Sequence, residues 1–321
     1  MKNNKIVITG GTGFIGSNLV ERLISMGNRP VLLIRKKSDI ARIKSFLQNI
    51  ELVETDLLED NDLNGVISKI KPDIIFHLSS YGVYSYTDFN PKNTEDMVRS
   101  NVLATSNLLH IAEQAGCKIF VNTGTCFEYG EGNDPFKETD PLNPCNVYGA
   151  SKVMSSQICN ILSKTFQMKI ITLRPFTVYG PHQDNRRFIA TVINSCTNNV
   201  GIKLSKKQII RDYTFVDDVI DAYIIAAKKG ENLSGEAFNI STGSGEKLKY
   251  VANLIMQLAE VKKIKMQEGM FPERQGEVYS LIGNPEKAHK LLGWKAKHSL
   301  SEGLLKTIAW HKQEMLRLKP F

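Results

Sequence analysis

The chain has 321 residues, of which 42% are hydrophobic and 23% charged, so it can bury one large core or two modest ones. Its 41 lysines and arginines exceed its 33 acidic residues, and the net charge of +8 suits anionic small molecules. The basic residues are scattered, and no apolar run approaches the ~18 residues of a membrane span. We therefore expect neither a nucleic acid nor a membrane as partner.

The cysteines argue against a structural metal. They are odd in number, form no Cys-x-x-Cys pair and have no histidine at metal-ligand spacing; they are Cys117, Cys126, Cys145, Cys159 and Cys196. This usage predicts a reduced, cytoplasmic protein with no metal site. Because a strand pattern follows the first residues directly, we also expect no signal peptide.

The first residues carry the pattern around which the rest is interpreted. Residues 5–9 are a β-branched run typical of a buried strand, and helical spacing of apolar residues begins at residue 14. Between them, Gly10 permits a tight turn, Gly13 lets the backbone approach a pyrophosphate, and Gly16 lets the helix pack against the strand. The helix N-terminus would offer N–H groups to phosphates. This context predicts a dinucleotide-binding loop.

Further strand patterns alternate with helical patterns along the first half of the chain. The predicted strands two to six cover residues 29–34, 51–54, 72–78, 118–122 and 169–173. A helix is predicted at 94–115. This alternation predicts an α/β fold with a doubly wound parallel sheet of the Rossmann type, and its ligands should gather at the carboxyl ends of the strands.

Three of these strand ends bear on the cofactor. The second strand ends in an arginine and two lysines, residues 35–37, with no acid directly after them. Arginine at this place accommodates a 2′-phosphate, so the sequence favours NADP(H), with NAD(H) as the alternative. Asp56 follows the third strand and is placed to reach the adenine. Ser79 and Ser80 follow the fourth and would pass beneath the cofactor.

The second half is less regular. Helices are predicted at 186–198, 216–228, 248–260 and 301–315, and strands at 208–215 and 238–240. There is no internal repeat and no low-complexity linker, which favours an intertwined second lobe over a separable domain. We therefore predict a dinucleotide-binding domain at 1–175, to which 214–240 returns. The smaller substrate-binding lobe is predicted at 176–213 and 241–321.

The chemistry is indicated by Tyr148 and Lys152, which lie four residues apart on one face of a predicted helix. Hydride transfer to or from a carbonyl carbon requires a proton at its oxygen. The pKa of free tyrosine, near ~10, is too high for a ready base. A neighbouring ammonium would stabilise the phenolate and lower that pKa. Thr125, at the end of the fifth strand, could fix the substrate oxygen by a hydrogen bond.

Together these motifs resemble the extended short-chain dehydrogenase/reductase group of nucleotide-sugar epimerases, dehydratases and reductases. The likeness covers nearly the whole chain; its segments are the glycine loop, 148–152, 174–181, 211–218 and 292–294. The resemblance implies an NAD(P) cofactor and a nucleotide-sugar substrate. It also implies a homodimer that pairs through helices at about 96–114 and 147–163.

The resemblance also implies the roles of individual residues. Its cofactor contacts would be Gly10, Gly13, Phe14, Ile15, Gly16, Arg35, Asp56, Leu57, Leu78, Ser79, Ser80, Tyr148 and Lys152. Its substrate contacts would be Thr125, Cys126, Phe127, Thr177, Arg211 and Arg274. The catalytic set would be Thr125, Tyr148 and Lys152. The two substrate arginines would hold the nucleotide diphosphate, because a guanidinium group is a charge-assisted donor suited to phosphate.

Departures from the family pattern narrow the reaction. Cys126 and Phe127 stand where the family's 4,6-dehydratases carry Asp and Glu, and neither does that acid–base work at neutral pH. Glu128, one residue on, leaves a dehydratase with a shifted glutamate as an alternative. Thr177 replaces the asparagine usual in the epimerases and weighs mildly against a 4-epimerase.

The cofactor then decides between the remaining reactions. A reductase consumes its cofactor and cells supply reducing power mainly as NADPH, so the basic strand end favours an NADPH-dependent 4-ketoreductase. Its substrate would be a CDP-, GDP- or dTDP-linked 4-keto-6-deoxyhexose, in deoxysugar or O-antigen (lipopolysaccharide) biosynthesis. An NAD-dependent 4-epimerase remains an alternative, as does a dinucleotide-binding regulatory protein without turnover.

Overall fold

The computed structural model describes residue 1 and residues 4–132, 135–261, 264–271 and 273–318. The strands are β1 (Ile6–Thr9), β2 (Val31–Ile34), β3 (Glu51–Glu54), β4 (Ile74–His77), β5 (Ile119–Thr123), β6 (Lys169–Pro175), β7 (Thr177–Tyr179), β8 (Ile202–Ser205), β9 (Ile210–Phe215), β10 (Ala237–Ile240), β11 (Gly245–Lys247), β12 (Met266–Phe271) and β13 (Ser280–Leu281). The α-helices are α1 (Phe14–Ser25), α2 (Asp60–Ile70), α3 (Pro91–Val98), α4 (Ala104–Gln114), α5 (Val147–Leu162), α6 (Phe188–Asn198), α7 (Val216–Lys229), α8 (Leu248–Leu258) and α9 (Leu300–Leu318).

Within the described residues, the main sheet has seven parallel strands in the order β3-β2-β1-β4-β5-β6-β10. Alternate residues of its central strands enter two separate cores. Ile6 and Ile8 of β1 pack on the side of α1 and α7. Val7, between them, packs on the side of α2 and α4. The sheet is therefore covered on both faces, and the predicted doubly wound α/β fold is confirmed.

Smaller sheets build the rest of the molecule. β9 pairs with β7 and β13 in parallel and with β11 in antiparallel orientation, and β8 pairs with β12. Between these strands the chain returns through α7 to β10, at the edge of the main sheet. Strands β7, β8, β11, β12 and β13 are short and were not expected from the sequence. The predicted domain boundaries stay a prediction.

The helix predicted at 94–115 is interrupted. α3 and α4 are separated by a π-helical turn at Arg99–Leu103, an irregularity often found at functional sites. Asn101 lies in this turn and is fully buried. Its amide group donates to the carbonyl of Tyr81 and to the hydroxyl of Ser151, both at 2.9 Å. The turn thus places a polar side chain between the loop after β4 and helix α5.

His77, at the end of β4, is the buried histidine of the main sheet's centre. Its Nδ1 lies 2.7 Å from the Thr9 hydroxyl and its Nε2 lies 2.9 Å from the Thr105 hydroxyl. Thr105 donates its own proton to the carbonyl of Asn101 at 2.8 Å. Its oxygen therefore accepts from Nε2–H, and Nδ1 accepts from Thr9. The neutral ring is satisfied at both nitrogens, and burial lowers the pKa of His77 to about 3.

This histidine predicts a loss of stability in acid. The unfolded chain takes up the proton first, so the stabilisation is complete above about pH 6.5 and declines as pH falls toward 3. The free energy of unfolding should fall by about 1.4 kcal/mol per pH unit more than in a protein without the group. Denaturant unfolding at pH 7, 6 and 5 measures this slope.

The His77→Gln variant should lack that part of the slope, whereas His110→Gln, at an exposed position, should keep it. Equal slopes in the wild type and His77→Gln would contradict the assignment. If His77→Gln does not fold, the ring ¹⁵N shifts of wild-type His77 serve instead. At pH 5 they should still be those of a neutral imidazole.

Candidate active site

A cleft of about 1100 Å³ opens at the carboxyl ends of β1, β4, β5 and β6 and continues along β8 and β9. Its lining begins at the glycine loop, passes residues 78–86 and 123–127, and reaches residues 202–213 and 273–279. Ligands of open α/β sheets bind at this edge. The cleft therefore joins the predicted cofactor loop to the predicted substrate residues.

The glycine loop is shaped for close approach. Gly10 has a φ of +68°, which favours glycine. A Cβ atom at Gly16 would collide with the carbonyl oxygen of Gly10. Helix α1 starts directly after Gly13. Its first turn, which the structure describes in full, has no capping side chain and no acidic residue. Its free N–H groups face the cleft at a position suited to a pyrophosphate.

A second pocket of about 640 Å³ lies beyond the ends of β2 and β3. The basic residues 35–37 form one part of its lining, while Glu54, Asp56 and Asp62 form another. Asp56 was expected here from the sequence, whereas Glu54 was missed because it comes from the neighbouring strand, where it pairs with Ile34. The basic side chains could bind a phosphate, and the acidic side chains could accept hydrogen bonds from ribose hydroxyls.

The structure distributes the predicted cofactor residues over three locations. The large cleft is lined by Gly10, Gly13, Phe14, Ile15, Gly16, Leu78, Ser80 and Tyr148. Arg35 and Asp56 line the smaller pocket. Leu57 is buried in the core, Ser79 donates its N–H to the Thr9 hydroxyl, and Lys152 is buried in α5. These last three lie behind the lining.

The predicted catalytic residues come from two elements. Thr125 caps a short 3₁₀ turn, Cys126–Glu128, after β5. Tyr148 and Lys152 lie on α5, whose N-cap Asn146 accepts the N–H of Gly149 at 2.9 Å. Thr125 and Tyr148 both line the cleft. Lys152 is 1% exposed and lies one turn deeper.

The electrostatics of Tyr148 differ from the expectation. Burial raises the pKa of Tyr148, and the contributions that lower it come from the Ser80 hydroxyl, Arg187 and the Thr125 hydroxyl. The expected lowering of this pKa by Lys152 is not seen. A buried lysine one turn away acts less on the phenol than do the hydroxyl groups beside it. In this state the tyrosine is a proton donor.

Lys152 is itself perturbed. Burial lowers the pKa of Lys152, while the charges of Glu128 and Cys159 raise it. The lysine in turn helps to keep His77 neutral. The charge of Lys152 therefore depends on the balance between its burial and the neighbouring Glu128 and Cys159.

All six predicted substrate residues line the cleft: Thr125, Cys126, Phe127, Thr177, Arg211 and Arg274. Phe127 meets the ring of Tyr148 edge-on, with the centroids 6.1 Å apart. Burial raises the pKa of the Cys126 thiol to about 12, so the thiol stays protonated. It packs as a small apolar group against Tyr129 and Phe176.

The two arginines lie at the far end of the cleft. Arg211 forms an ion pair with Glu277 at 2.8 Å, and the Tyr86 hydroxyl donates to the other oxygen of that carboxylate at 2.8 Å. Arg211 and Arg274 both act electrostatically on Tyr86. The two guanidinium groups therefore lie near each other, together with the Glu277 carboxylate, at a place where they could bind a diphosphate.

Sequence reasoning missed two further parts of the cleft and its support. Asn101 carried no signal, because its role depends on a π turn inside an otherwise regular helical pattern. Arg186 and Arg187 both lie over the ring of Tyr84, at 4.2 and 4.7 Å from its centroid. An aromatic residue about a hundred positions before an arginine pair gives no local pattern.

The described residues hold no group of His, Cys, Asp and Glu side chains that could bind a metal ion. Among them there is also no helix long and apolar enough to cross a membrane.

Comparisons with known proteins agree with this geometry. The model of the NAD dependent epimerase/dehydratase family matches residues 6–241. A UDP-glucose 4-epimerase of Mycolicibacterium smegmatis is 29% identical over 320 residues, covering 97% of this chain and 99% of its own. A dTDP-glucose 4,6-dehydratase of Haemophilus influenzae is 27% identical over 335 residues, covering 95% and 97%.

A solved structure described as MoeE5 in complex with UDP-glucose and NAD superposes with a TM-score of 0.85. It is 26% identical, and the match covers 97% of this chain and 99% of that one.

Proposed function

The chain belongs to the NAD dependent epimerase/dehydratase family, and from this we infer that it is an NAD-dependent 4-epimerase of a nucleoside diphosphate sugar. The observation that carries the proposal is one continuous cleft. It joins the glycine loop, Thr125 and Tyr148, and the two arginines, Arg211 and Arg274. The likeness to a UDP-glucose 4-epimerase over 97% of the chain supports this reaction, and a similar structure holds UDP-glucose and NAD together.

The residues present fit NAD. The glycine loop and the start of α1 would hold its pyrophosphate, and Asp56 would lie near its adenosine. When bound, NAD supplies a hydride acceptor and donor beside the sugar. Because burial raises its pKa, Tyr148 is a phenol in this structure, so its role as a base requires that it first lose its proton to solvent in the complex. The phenolate would then take the proton of the sugar's 4-hydroxyl oxygen and later return it. Thr125 orients the same oxygen.

A dehydratase needs an acid and a base for elimination of water, in addition to the tyrosine. The positions after Thr125 hold a protonated thiol and a phenyl ring. Glu128 lies outside the lining of the cleft, and its carboxylate is buried in hydrogen bonds. A dehydratase reaction, which the likeness to a dTDP-glucose 4,6-dehydratase keeps as an alternative, would have to use other groups.

The first prediction from this proposal concerns turnover. Purified protein should interconvert UDP-glucose and UDP-galactose, or another nucleoside diphosphate sugar pair, without added cofactor. Tyr148→Phe should lower kcat by about 10²- to 10⁴-fold, because the proton has no other carrier at that oxygen, while NAD binding persists. Coupled assay or ¹H NMR of the anomeric proton measures the conversion.

Tyr250→Phe is the matched control, since this tyrosine is 51% exposed on α8; its kcat should equal that of the wild type. Undiminished turnover in Tyr148→Phe would refute the role of the phenol. Failure of the wild type with UDP-, dTDP-, CDP- and GDP-hexoses would refute the 4-epimerase.

A 4-ketoreductase that uses NADPH is the second candidate. The observation that favours it is the run of Arg35, Lys36 and Lys37 at the smaller pocket, where a 2′-phosphate would lie. The acidic residues of the same pocket favour NAD instead, because they would repel that phosphate. The preference for NADP(H) predicted from the sequence stays a prediction.

The second prediction therefore concerns the cofactor. NAD should bind more tightly than NADP, and Arg35→Ala should weaken NADP more than NAD, because only NADP carries the 2′-phosphate. Quenching of protein fluorescence on titration gives both dissociation constants. Tighter binding of NADP, together with NADPH oxidation in the presence of a nucleotide-linked 4-keto-6-deoxyhexose, would replace the epimerase by the ketoreductase.

We also propose a homodimer. Leu103, in the π turn, and Met154 and Ile161, on α5, are 46%, 42% and 59% exposed. α4 and α5 pack side by side, so a second copy could bury this surface in a four-helix interface.

The third prediction is that Ile161→Glu lowers the mass from dimer to monomer in sedimentation at micromolar concentration, because a carboxylate would be buried in the interface. Leu305→Glu, at a position 49% exposed on α9, should leave the mass unchanged. A wild type that sediments as a monomer would contradict the dimer.

A further inference from the structure

Glu128 is fully buried beside the catalytic residues yet takes no part in the proposed reaction. One carboxylate oxygen accepts the backbone N–H of Thr125 at 2.9 Å and the hydroxyl of Ser156 at 3.1 Å. The other accepts Nε of Arg174 at 2.8 Å. The two oxygens together accept from three elements: the turn after β5, helix α5 and strand β6.

These contacts join the two parts of the catalytic set. Thr125 begins the turn after β5, and Ser156 lies on α5 one turn beyond Lys152. Arg174, on β6, is itself 5% exposed and also donates to the Tyr129 hydroxyl at 3.1 Å. A single carboxylate therefore ties the threonine to the helix that carries the tyrosine and the lysine, and a strand of the main sheet anchors the carboxylate.

The same carboxylate lies on the face of α5 that carries Lys152, because it accepts from Ser156, and Ser156 and Lys152 are one helical turn apart and both buried. The titratable groups that act on the lysine are Glu128 from the 3₁₀ turn, Cys159 from its own helix and His77 from β4. The histidine is neutral, and burial raises the pKa of the Cys159 thiol to about 12. Glu128 is thus the negative charge among these groups at neutral pH. Arg174 faces the other side of the carboxylate.

We propose that Glu128 is a positioning residue of the catalytic site, whose carboxylate fixes Thr125 against helix α5 and is the counter-charge beside buried Lys152. This inference rests on the proposed function, since it concerns the same catalytic set. Stability alone does not require this ion pair, because an apolar pair of similar volume often stabilises a protein equally well. A purely structural ion pair would also leave the titration of Lys152 unchanged.

Glu128→Gln tests the charge while keeping the shape. Without the negative charge, Lys152 should lose its proton more readily. The alkaline limb of the pH profile of kcat/KM should then move to lower pH by about one unit. The titration midpoint of the Lys152 ¹³Cε resonance, assigned by its loss in Lys152→Met, should move by a similar amount.

Arg174→Lys is the matched control, because it keeps both charges of the buried pair and alters only the geometry of the donor. It should lower the thermal midpoint but leave the alkaline limb and the lysine titration in place. Ser156→Ala removes the tie to α5 alone; it should lower kcat more than it changes KM, with no shift of the limb.

A folded Glu128→Gln variant with an unmoved Lys152 midpoint would overturn the proposal. If this variant fails to fold, Glu128→Gln/Arg174→Met removes both buried charges together, and the same two readouts decide. The lysine titration needs no substrate. A wild type that converts no nucleotide sugar would therefore count against the 4-epimerase alone, while an unmoved midpoint counts against Glu128.

Discussion

The hydrogen-bonded chain from Thr9 through His77 and Thr105 to Asn101 is the constraint on which the rest of the site depends. Thr9 is the last residue before the glycine turn, so the chain starts where the cofactor would bind. Asn101 is its other end, and its side chain holds Ser151, which donates to the carbonyl of Tyr148 at 2.8 Å. In the proposed reaction the hydride acceptor must lie beside the sugar's C4 and the phenol beside its 4-oxygen, and this buried network fixes the distance between their supports. Each group in it has a defined donor or acceptor role, so the loss of one member leaves its neighbours unsatisfied.

A second buried network holds Thr125: Glu128 accepts its backbone N–H, and Arg174 donates to Glu128. The two networks hold α5 at different residues. Ser151 accepts from Asn101 of the network that starts at the cofactor loop, and Ser156 donates to Glu128, which is bound to Arg174 of β6. α5 can therefore place a phenol in the cleft and an ammonium one turn deeper with little freedom for either. The burial that makes α5 rigid also disfavours the charged forms of the Tyr148 phenol and the Lys152 amine. The neighbouring hydroxyls and carboxylate offset that effect in part.

Much of the architecture could be predicted from the chain, because its strands are short apolar runs and its first helix follows a glycine pattern. The dinucleotide loop and the α/β class follow from local patterns and known topology. The expectation that Arg211 and Arg274 share a cleft with Thr125 and Tyr148 comes from the family resemblance. Other features depend on pairings across the fold. Glu54 reaches the pocket of residues 35–37 through strand register, and Tyr84 reaches Arg187 through the approach of two distant loops. Lys152 was expected to act on Tyr148, but periodicity places two residues on one face without giving the depth at which each is buried.

The pocket at residues 35–37 differs from the buried networks around α5 in how exposed its side chains are. Its basic and acidic side chains are mostly exposed. Residues 35–37 follow β2, Glu54 and Asp56 lie at the end of β3 and just after it, and Asp62 lies on α2. Exchange of one such side chain would leave the packing of the sheet intact. Single substitutions could therefore change the preference between NAD and NADP with little loss of stability. The buried residues that set the geometry of proton and hydride transfer depend on one another and could not be exchanged one at a time.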